Sequence, residues 1–376
     1  MRAAVLGAAT SPFVRQASGG LYALTSRAIL DAITAAGVEP GEIEAVYVGN
    51  VFGPSGVVPR VLRDAGITGV PSLRLEAACA SGTLAAHQAV RDVVAGRHRT
   101  VLALGVEMMS ELFDGPIVPE RTDPEGSLGL PLPGLYALQA HRYLSVHGLD
   151  VADIARVAVK NRAQGALNPA AQKRTPVTLE QVLGSRPIAE PLTLDQCCPV
   201  GDGAAAAVIG LSRRADDVLV TGTGWSSGLA WPGVDDLPWG MASVTRAAEE
   251  AFAASRRSAP EVDVLEVHDA FTIGEVLTVE ALGLCAPGTA PRLLADGELG
   301  PGGRWPVNTS GGLLSRGHAL GATGVAQIAE VYEQLTGRSG ERQVAAPRIG
   351  LVETMGGGAS GLDGNTAVVM VLEAQQ

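Results

Sequence analysis

The chain has 376 residues, of which 46% are hydrophobic and 18% are charged, which is long enough for two domains or one large duplicated domain. Its formal net charge of −11 argues against a nucleic-acid-binding surface, and no run of residues approaches the roughly 20 apolar residues of a membrane-spanning helix. The four cysteines are too few for a disulfide framework and predict a reduced, cytoplasmic protein.

Strand-like and helix-like segments alternate in the N-terminal part of the chain. We predict strands at 2–8, 43–48 and 100–106, and helices at 21–36 and 82–95. The first helix ends at Gly37 and the second near Gly96, as helices commonly do. This alternation predicts an α/β fold with a mostly parallel, helix-covered sheet.

Two short segments of the first half recur in the second half in the same order. EIEAVYVGN at 42–50 resembles EVDVLEVHD at 261–269, and VEMM at 106–109 resembles VETM at 352–355. A long helix precedes each member of the second pair, and the later helix is predicted at 319–336, ending at Gly337. The order of the matches indicates a duplication.

We therefore predict two related halves, at residues 1–214 and 215–376. Residues 110–200 are rich in proline and glycine and have no counterpart in the second half. We predict an inserted loop region there, where a large substrate could be gripped.

Cys79 lies in the segment EAACASG, directly before the predicted helix 82–95. The free N–H groups and the partial positive charge of a helix start stabilise a thiolate, so we expect the pKa of Cys79 to be lowered. The small neighbours Ala78, Ala80 and Gly82 would let a substrate carbonyl approach the sulfur. Cys79 is therefore a candidate nucleophile.

Two histidines of the second half lie at strand-to-helix junctions. His268 follows a predicted strand in VHDAF, and His318 lies in the glycine-dense segment NTSGGLLSRGHALGATG. In a duplicated fold these junctions correspond to Asn50 and Cys79, and they can face Cys79 across a pseudo-twofold axis. We assign structural roles to the other histidines, which are His87, His98, His141 and His147.

The last glycine run is TMGGG at 354–358. Glycines allow backbone N–H groups to approach a ligand oxygen closely, so this run and the Cys79 N–H could form an oxyanion hole. A tight turn between the last two strands explains the same glycines, and the two roles are compatible.

Six segments together resemble the thiolase superfamily, and most closely its sterol-carrier-protein type thiolases and their bacterial thiolase-like acyltransferase relatives. The segments are ACASG, VEMMS, CCPVGDGAAA, VHDAF, NTSGGLLSRGHALGATG and the closing GGG. The resemblance implies a duplicated five-layer αβαβα thiolase fold and an obligate homodimer. It also implies a coenzyme A thioester as substrate, with no tightly bound cofactor and no metal.

The resemblance also implies roles for single residues. Cys79 matches the nucleophile that becomes acylated, and His318 matches the histidine that activates it. His318 and His268 match the groups that hold the thioester oxygen in a first oxyanion hole. The N–H groups of Cys79 and Gly356 match a second hole.

Three positions depart from the family pattern. Thiolases use a second acid/base at the substrate α-carbon, usually a cysteine in a final Cys-x-Gly motif, and this position is Thr354 here. Sterol-carrier-type enzymes can carry that cysteine in an HDCF motif, where this chain has Ala270. A threonine hydroxyl is far too weak a base at neutral pH. The usual GHP is GHA, with Ala319 in place of proline.

Three functions remain open. The first is acyl transfer with carbon–carbon bond making or breaking on a specialised coenzyme A substrate, the proton being handled by His268, His318 or the substrate. The second is a decarboxylative condensing enzyme like the ketoacyl synthases, whose Cys-His-His set resembles Cys79, His268 and His318. The third is an acyl-handling or aldolase-like subunit that works beside a small OB-fold/zinc-ribbon partner. We assign Cys197, Cys198 and Cys285 to packing.

Overall fold

The computed structural model describes residues 2–117, 122–230, 241–358 and 361–375. The strands are β1 (Ala3–Thr10), β2 (Ala45–Gly49), β3 (Ser72–Leu75), β4 (Thr100–Met108), β5 (Pro187–Ala189), β6 (Leu192–Thr193), β7 (Asp202–Leu211), β8 (Val218–Ser227), β9 (Val264–Glu266), β10 (Ile349–Met355) and β11 (Thr366–Ala374).

The helices are α1 (Gly20–Ala36), α2 (Val57–Asp64), α3 (Ser81–Val94), α4 (Pro124–Ser127), α5 (Leu132–His147), α6 (Val151–Leu167), α7 (Leu179–Leu183), α8 (Met241–Ser255), α9 (Thr272–Ala281), α10 (Ala290–Ala295), α11 (Gly312–Ser315) and α12 (Leu320–Leu335). Short 3₁₀ turns occur at Pro40–Glu42, Ala78–Ala80, Leu194–Gln196, Ala259–Glu261 and Gly340–Arg342. Gly37 ends α1 as predicted, with φ 64° and its N–H bonded to the carbonyls of Ile33 and Thr34.

One large mixed sheet runs through the described residues in the order β3-β2-β4-β7-β1-β8-β11-β10-β9. Outward from the central β1–β8 pair, the order β1, β7, β4, β2 on one side matches β8, β11, β10, β9 on the other. The strand directions match as well, because each series has two antiparallel pairings followed by a parallel one. A duplicated unit would give this arrangement, and the boundary between residues 214 and 215 stays a prediction.

Helices cover both faces of this sheet. Side chains alternate along a strand, so Ala4 and Leu6 of β1 pack on α1 and α2, whereas Ala3 and Val5 pack on α3 and α12. Strands β10 and β11 contribute to the same α3–α12 cluster, and their opposite faces pack on α8 and α9. Helices α3 and α12 therefore lie between two parts of the sheet, with α1 and α2 outside one part and α8 and α9 outside the other. The order of layers is helices, strands, helices, strands, helices, and the predicted five-layer α/β fold is confirmed.

Glycines allow the two central helices, α3 and α12, to approach closely. A Cβ atom at Gly82 would lie 2.5 Å from the Gly321 carbonyl oxygen, and one at Gly324 would lie 1.8 Å from Thr83 Oγ1. Larger side chains would force the helices apart. This contact explains much of the glycine density after His318, and it brings the starts of the two helices together.

The stretch predicted as an inserted loop region, 110–200, is largely helical where the structure describes it. It contains α4 to α7 and the two-stranded sheet β5–β6. Helices α5 and α6 pack on α9, so the region joins the core of the second half. Proline and glycine lie at the helix starts and ends here, as Pro133 and Gly148 do in α5, and the assignment of 110–200 as an inserted loop region stays a prediction. Within the described residues, no helix has both the length and the hydropathy needed to cross a bilayer.

Candidate active site

Cys79 lies in the 3₁₀ turn Ala78–Ala80, immediately before α3. Ala78 has φ 46°, a left-handed conformation that residues other than glycine rarely adopt. Ser81 Oγ donates to the Ala78 carbonyl at 2.6 Å and accepts from the Ala77 N–H at 2.8 Å. These bonds hold the turn in a conformation that directs Cys79 toward the second half of the chain.

His318 is hydrogen-bonded to this cysteine. Its Nε2 lies 3.1 Å from Cys79 Sγ, and its Nδ1 lies 2.7 Å from Thr323 Oγ1. The Thr323 hydroxyl uses its single O–H to donate a hydrogen bond to the Ala319 carbonyl at 3.0 Å, so it accepts a hydrogen bond from the Nδ1–H of His318. Nε2 is therefore the unprotonated nitrogen, and it accepts from the Cys79 thiol.

The protonation state of this pair differs from the expectation for a helix start. Cys79 is 5% exposed, and burial raises the pKa of its thiol to about 12, outweighing the backbone N–H that lowers it. Burial also lowers the pKa of His318 well below its ordinary value. The prediction of a lowered cysteine pKa was wrong, because desolvation in this fold exceeds the effect of the helix start. The resting pair is a neutral thiol and a neutral imidazole.

His268 follows β9 and lies beside His318, with ring centroids 5.2 Å apart and ring planes at 68°. Its backbone N–H donates to Glu353 Oε2 at 3.0 Å. Its Nε2 is buried and has no hydrogen-bond partner among the described residues. Burial lowers the pKa of His268 to about 4, so the ring is neutral at physiological pH. A buried unpaired nitrogen is costly, which indicates that a ligand atom pairs with it.

The N–H of Gly356 is not free for the predicted second oxyanion hole. It donates to the Thr366 carbonyl at 2.7 Å, across the turn between β10 and β11. The next residue, Gly357, lines the cavity that contains Cys79. Neither Cys79 nor Gly357 donates its backbone N–H to another residue in the part of the chain that the structure describes. The available pair of donors is therefore Cys79 and Gly357, and the expectation for Gly356 is corrected.

Cys79, His268 and His318 lie at the wall of one cavity of about 520 Å³. Most of the remaining lining is apolar and includes Met109, Phe113, Ile117, Leu132, Phe271 and Leu320. Basic side chains also line it, namely Arg15, Lys173 and Arg186. An apolar cavity with a few converging polar groups is the usual form of a small-molecule site. Two of the basic residues, Lys173 and Arg186, fall in 110–200, where a large substrate was expected to be gripped.

Tyr136 is a cavity residue that the sequence analysis did not single out. It is 2% exposed and stacks on Phe271, with ring centroids 4.4 Å apart. Its hydroxyl has no hydrogen-bond partner within the described ranges. Burial raises the pKa of Tyr136 well above its ordinary value, and charge on Cys79 or Glu353 would raise it further. The hydroxyl is therefore a neutral donor on a residue that lines the cavity containing Cys79.

Glu353 and Glu107 occupy corresponding positions near the ends of β10 and β4, but their surroundings differ. Glu107 accepts hydrogen bonds from the Asn50 side chain and from two backbone N–H groups of the following loop. Glu353 accepts from the His268 N–H, and its Oε1 has no partner among the described atoms. Burial raises the pKa of Glu353 to about 8. The second carboxyl is thus a buried, partly unsatisfied acid behind His268.

The two positions that could have carried a second catalytic cysteine are occupied as the sequence indicated. The Thr354 hydroxyl donates to Gln327 Oε1 and accepts from Thr83 Oγ1, each at 2.7 Å. That hydroxyl therefore donates one hydrogen bond and accepts another inside the core, and the residue is fully buried. Ala270 lines the cavity but offers no side-chain acid or base.

The vicinal cysteines differ in their surroundings. Cys197 Sγ donates to the Thr193 carbonyl at 3.3 Å. Both cysteines line the cavity, but no hydrogen-bond partner of the Cys198 thiol occurs among the described residues. Both side chains also pack on the core of the second half, so the hydrogen bond to the Thr193 carbonyl is what distinguishes Cys197 from Cys198. Cys285 is absent from the cavity lining that the structure describes.

The remaining histidines do not line this cavity as far as the structure describes it. His87 Nδ1 bonds Thr223 Oγ1 at 2.8 Å, and burial lowers the pKa of His87 to about 4. His147 packs on Tyr143, with ring centroids 4.7 Å apart. Structural roles account for these contacts.

The site also has the donor set of a metal centre. One ligand atom each from Cys79, His268 and His318 lies within 4.8 Å of the other two. A thiolate and two imidazoles are donors that Zn²⁺ prefers, so these residues could hold such an ion, although none was predicted.

Known proteins match the chain over nearly its whole length. The profile described as "Thiolase, N-terminal domain" matches residues 3–190, and the one described as "Thiolase C-terminal domain-like" matches residues 234–373. The chain is 38% identical to an acetyl-CoA acetyltransferase of Methanothermobacter thermautotrophicus over 98% of both chains. It is 33% identical to sterol carrier protein 2 of Homo sapiens over 95% of this chain and 70% of that protein. A solved structure described as "Ltp2-ChsH2(DUF35) aldolase" superposes with a TM-score of 0.86 at 26% identity, covering 100% of this chain and 98% of that one.

Proposed function

Because the chain belongs to the thiolase family, we propose that it is an acyl-CoA acyltransferase that forms an acyl-Cys79 thioester and makes or breaks a carbon–carbon bond. The observation that carries this proposal is the 3.1 Å contact between Cys79 Sγ and the unprotonated Nε2 of His318. A thiol bonded to a positioned base at a cavity wall is an activated nucleophile.

Acylation begins from the neutral pair. As the Cys79 sulfur attacks the thioester carbon, its proton moves to His318 Nε2, and Thr323 holds the resulting imidazolium through Nδ1. The carbonyl oxygen gains negative charge during attack. The unpaired Nε2 of His268 and the free N–H groups of Cys79 and Gly357 are the available donors for oxygens of this kind.

The cavity lining supports an apolar acyl group. Stacked Tyr136 and Phe271, together with Phe113, form a wall suited to an aromatic or alicyclic chain. The basic residues Arg15, Lys173 and Arg186 could meet the phosphates of coenzyme A. Coenzyme A thioesters are then substrates, and no tightly bound cofactor is needed.

A decarboxylative condensing enzyme is the second candidate. Decarboxylation creates a carbanion without a base at the α-carbon, which suits a site with no thiol at Thr354 or Ala270 and with two adjacent neutral imidazoles. Release of carbon dioxide from malonyl-CoA, lost in His268→Ala and in His318→Ala, would favour this candidate over turnover of acetyl-CoA.

Two assemblies are part of the proposal. β3 is an edge strand in the described sheet and presents Leu73, which is 56% exposed, so pairing of two copies through β3 would cover an open edge in a homodimer. The description of the similar aldolase structure names a second component, ChsH2(DUF35). We propose that this chain also works with a second component, an OB-fold/zinc-ribbon partner, and that it is cytoplasmic.

Intact-mass spectrometry after incubation with a panel of acyl-CoA thioesters tests the acyltransferase. We expect an acyl adduct on the wild-type protein and on the control Cys285→Ala, and none on Cys79→Ala. If the wild-type protein stays unmodified by every thioester, the proposal is refuted and a scaffold function becomes the better explanation.

A further inference from the structure

We propose that Cys198 is a further catalytic residue, which supplies the second thiol of the site and moves the proton at the substrate α-carbon. This inference rests on the proposed acyltransferase function. It addresses a specific gap, because the two positions at which a second cysteine was sought hold Thr354 and Ala270.

The backbone brings Cys198 alongside one of those positions. The Cys198 N–H donates to the Ala270 carbonyl at 2.9 Å, and Cys197 forms an antiparallel bridge with Phe271. The segment 197–198 therefore runs beside 270–271, although the two are more than seventy residues apart in the chain. Cys198 and Ala270 both line the cavity that contains Cys79.

The thiol of Cys198 is free of hydrogen bonds within the described residues, although its side chain packs on the core. Its neighbour Cys197 gives its S–H to the Thr193 carbonyl, but no hydrogen-bond partner of the Cys198 thiol occurs in the ranges that the structure describes. The Cys198 and Cys79 side chains line the same cavity. Cys198 is partly exposed at the cavity wall, and the burial of the rest of its side chain raises the pKa of the thiol, so the thiol keeps its proton at rest and can act as an acid.

Two other unsatisfied groups indicate that a ligand lies between these thiols. Nε2 of His268, 3% exposed, and the hydroxyl of Tyr136, 2% exposed, have no hydrogen-bond partners among the described residues, and both side chains line the same cavity. An oxygen of a bound thioester or ketone would pair with them. Its α-carbon would then lie in the space lined by Cys79, Ala270 and Cys198.

The proton balance in the cleavage direction is complete. The Cys79 proton passes to His318 Nε2 as the sulfur attacks the 3-keto carbon. The bond from that carbon to the α-carbon breaks, and its electron pair stays on the α-carbon of the departing acyl-CoA. The Cys198 thiol gives its proton to that carbon and becomes a thiolate.

The second half-reaction restores every group. The incoming coenzyme A thiol gives its proton to the Cys198 thiolate, and its sulfur attacks the acyl group on Cys79. The released Cys79 thiolate takes back the proton held by His318. Condensation is the reverse of these steps, with the Cys198 thiolate removing the α-proton.

Deuterium exchange separates the role of Cys198 from acylation. Acetyl-CoA is incubated with the full-length protein in D₂O, and proton NMR follows the loss of its methyl signal. We expect exchange with the wild-type protein and with the matched control Cys197→Ser. Cys198→Ala and the nearly isosteric Cys198→Ser should each lower the exchange rate about 100-fold or more. Because Cys198 is protonated at rest, the wild-type exchange rate should rise with pH, and this rise should disappear in Cys198→Ser.

Intact-mass measurement on the same samples identifies which proposal fails. Cys79 acylation should persist in both Cys198 variants, because acylation needs no α-proton transfer. Exchange that survives in them, or that is absent from an acylated wild-type protein, overturns the role of Cys198. A wild-type protein that is never acylated overturns the acyltransferase instead. Adding Ala270→Cys to Cys198→Ala should restore exchange, which a merely structural role would not predict.

Discussion

Thr323 Oγ1 lies 2.7 Å from His318 Nδ1, on the opposite side of the ring from the Cys79 sulfur. Thr323 already gives its own proton to the Ala319 carbonyl, so this contact determines which ring nitrogen is free to act as the base. The tautomer of His318 is thus set by a hydroxyl on the first turn of α12.

Thr323→Val should slow acylation of Cys79, because Nδ1 loses its acceptor and the imidazolium loses a hydrogen bond worth about 1 kcal/mol. We expect about a fivefold to tenfold lower acylation rate, measured by quenched-flow mass spectrometry. Thr323→Ser keeps the hydroxyl and should retain most of the rate. Equal rates in the valine and serine variants would contradict the role assigned to this hydroxyl.

Alkylation of Cys79 by iodoacetamide should depend strongly on pH. Burial raises the pKa of Cys79 to about 12, so the thiolate fraction grows about tenfold per pH unit through neutral pH. We expect the inactivation rate to rise from pH 7 to pH 9 without a plateau, with Cys79→Ala identifying the site by mass. A plateau that begins below pH 7 would indicate a thiolate–imidazolium pair at rest.

Thr354→Val should destabilise the protein without removing any catalytic base. The change leaves Gln327 Oε1 and Thr83 Oγ1 without their buried partner, at a cost of about 1–3 kcal/mol. Urea unfolding would measure the loss, and Thr354→Ser should stay close to the wild type. Thr354→Cys should not raise acetoacetyl-CoA thiolysis if Cys198 already supplies the thiol, and a clear gain would count against that assignment.

Gly324→Ala should weaken both stability and acylation. The new Cβ would meet the backbone nitrogen of Thr83 at 2.6 Å, so α3 and α12 must separate. We expect about 1–3 kcal/mol of destabilisation and a slower acylation of Cys79, because its distance to His318 increases. Gly41→Ala, where nothing lies within 4 Å of the new atom, is the matched control in thermal unfolding.

Zn²⁺ should inhibit the enzyme reversibly. Its preferred donors, a thiolate and two imidazoles, lie within 4.8 Å of one another at Cys79, His268 and His318, and a bound ion would displace the proton that His318 must receive. Micromolar Zn²⁺ should block Cys79 acylation, EDTA should restore it, and Mg²⁺ should have no effect. Inhibition that persists unchanged in His268→Ala would assign the ion to another site.

The sequence was sufficient for the layers of the fold and for the residues that meet at the site. Cys79 and His318 were predictable because motif, helix start and glycine run all coincide there. The protonation state of Cys79 was not predictable, because it depends on how deeply segments distant in sequence bury the thiol. The Gly356 N–H was likewise assigned without knowledge of the Thr366 carbonyl that it bonds.

Tyr136 was not predicted as a cavity residue, and Cys198 was assigned to packing, for a related reason. Both belong to 110–200, which has no internal counterpart that could have indicated their positions. The proline and glycine residues there were taken as evidence of loops, although Tyr136 lies in α5. The signal that the sequence offered was the vicinal pair of cysteines before β7. The structure distinguishes the two by their contacts, because Cys197 bonds the Thr193 carbonyl and Cys198 bonds the Ala270 carbonyl.

The two halves of the chain, which meet at the β1–β8 pair, supply different groups of the site. The sulfur comes from one half and the imidazoles from the other, while β1 and β8 are joined by the short register of Ala4 with Leu219 and Val5 with Val218. A chain severed between β7 and β8 would therefore leave one fragment with a nucleophile and no base, and another with bases and nothing to activate. Activity regained on mixing such fragments would report their reassociation directly. The connection between β7 and β8 is therefore a suitable place to divide the chain for a split-protein sensor.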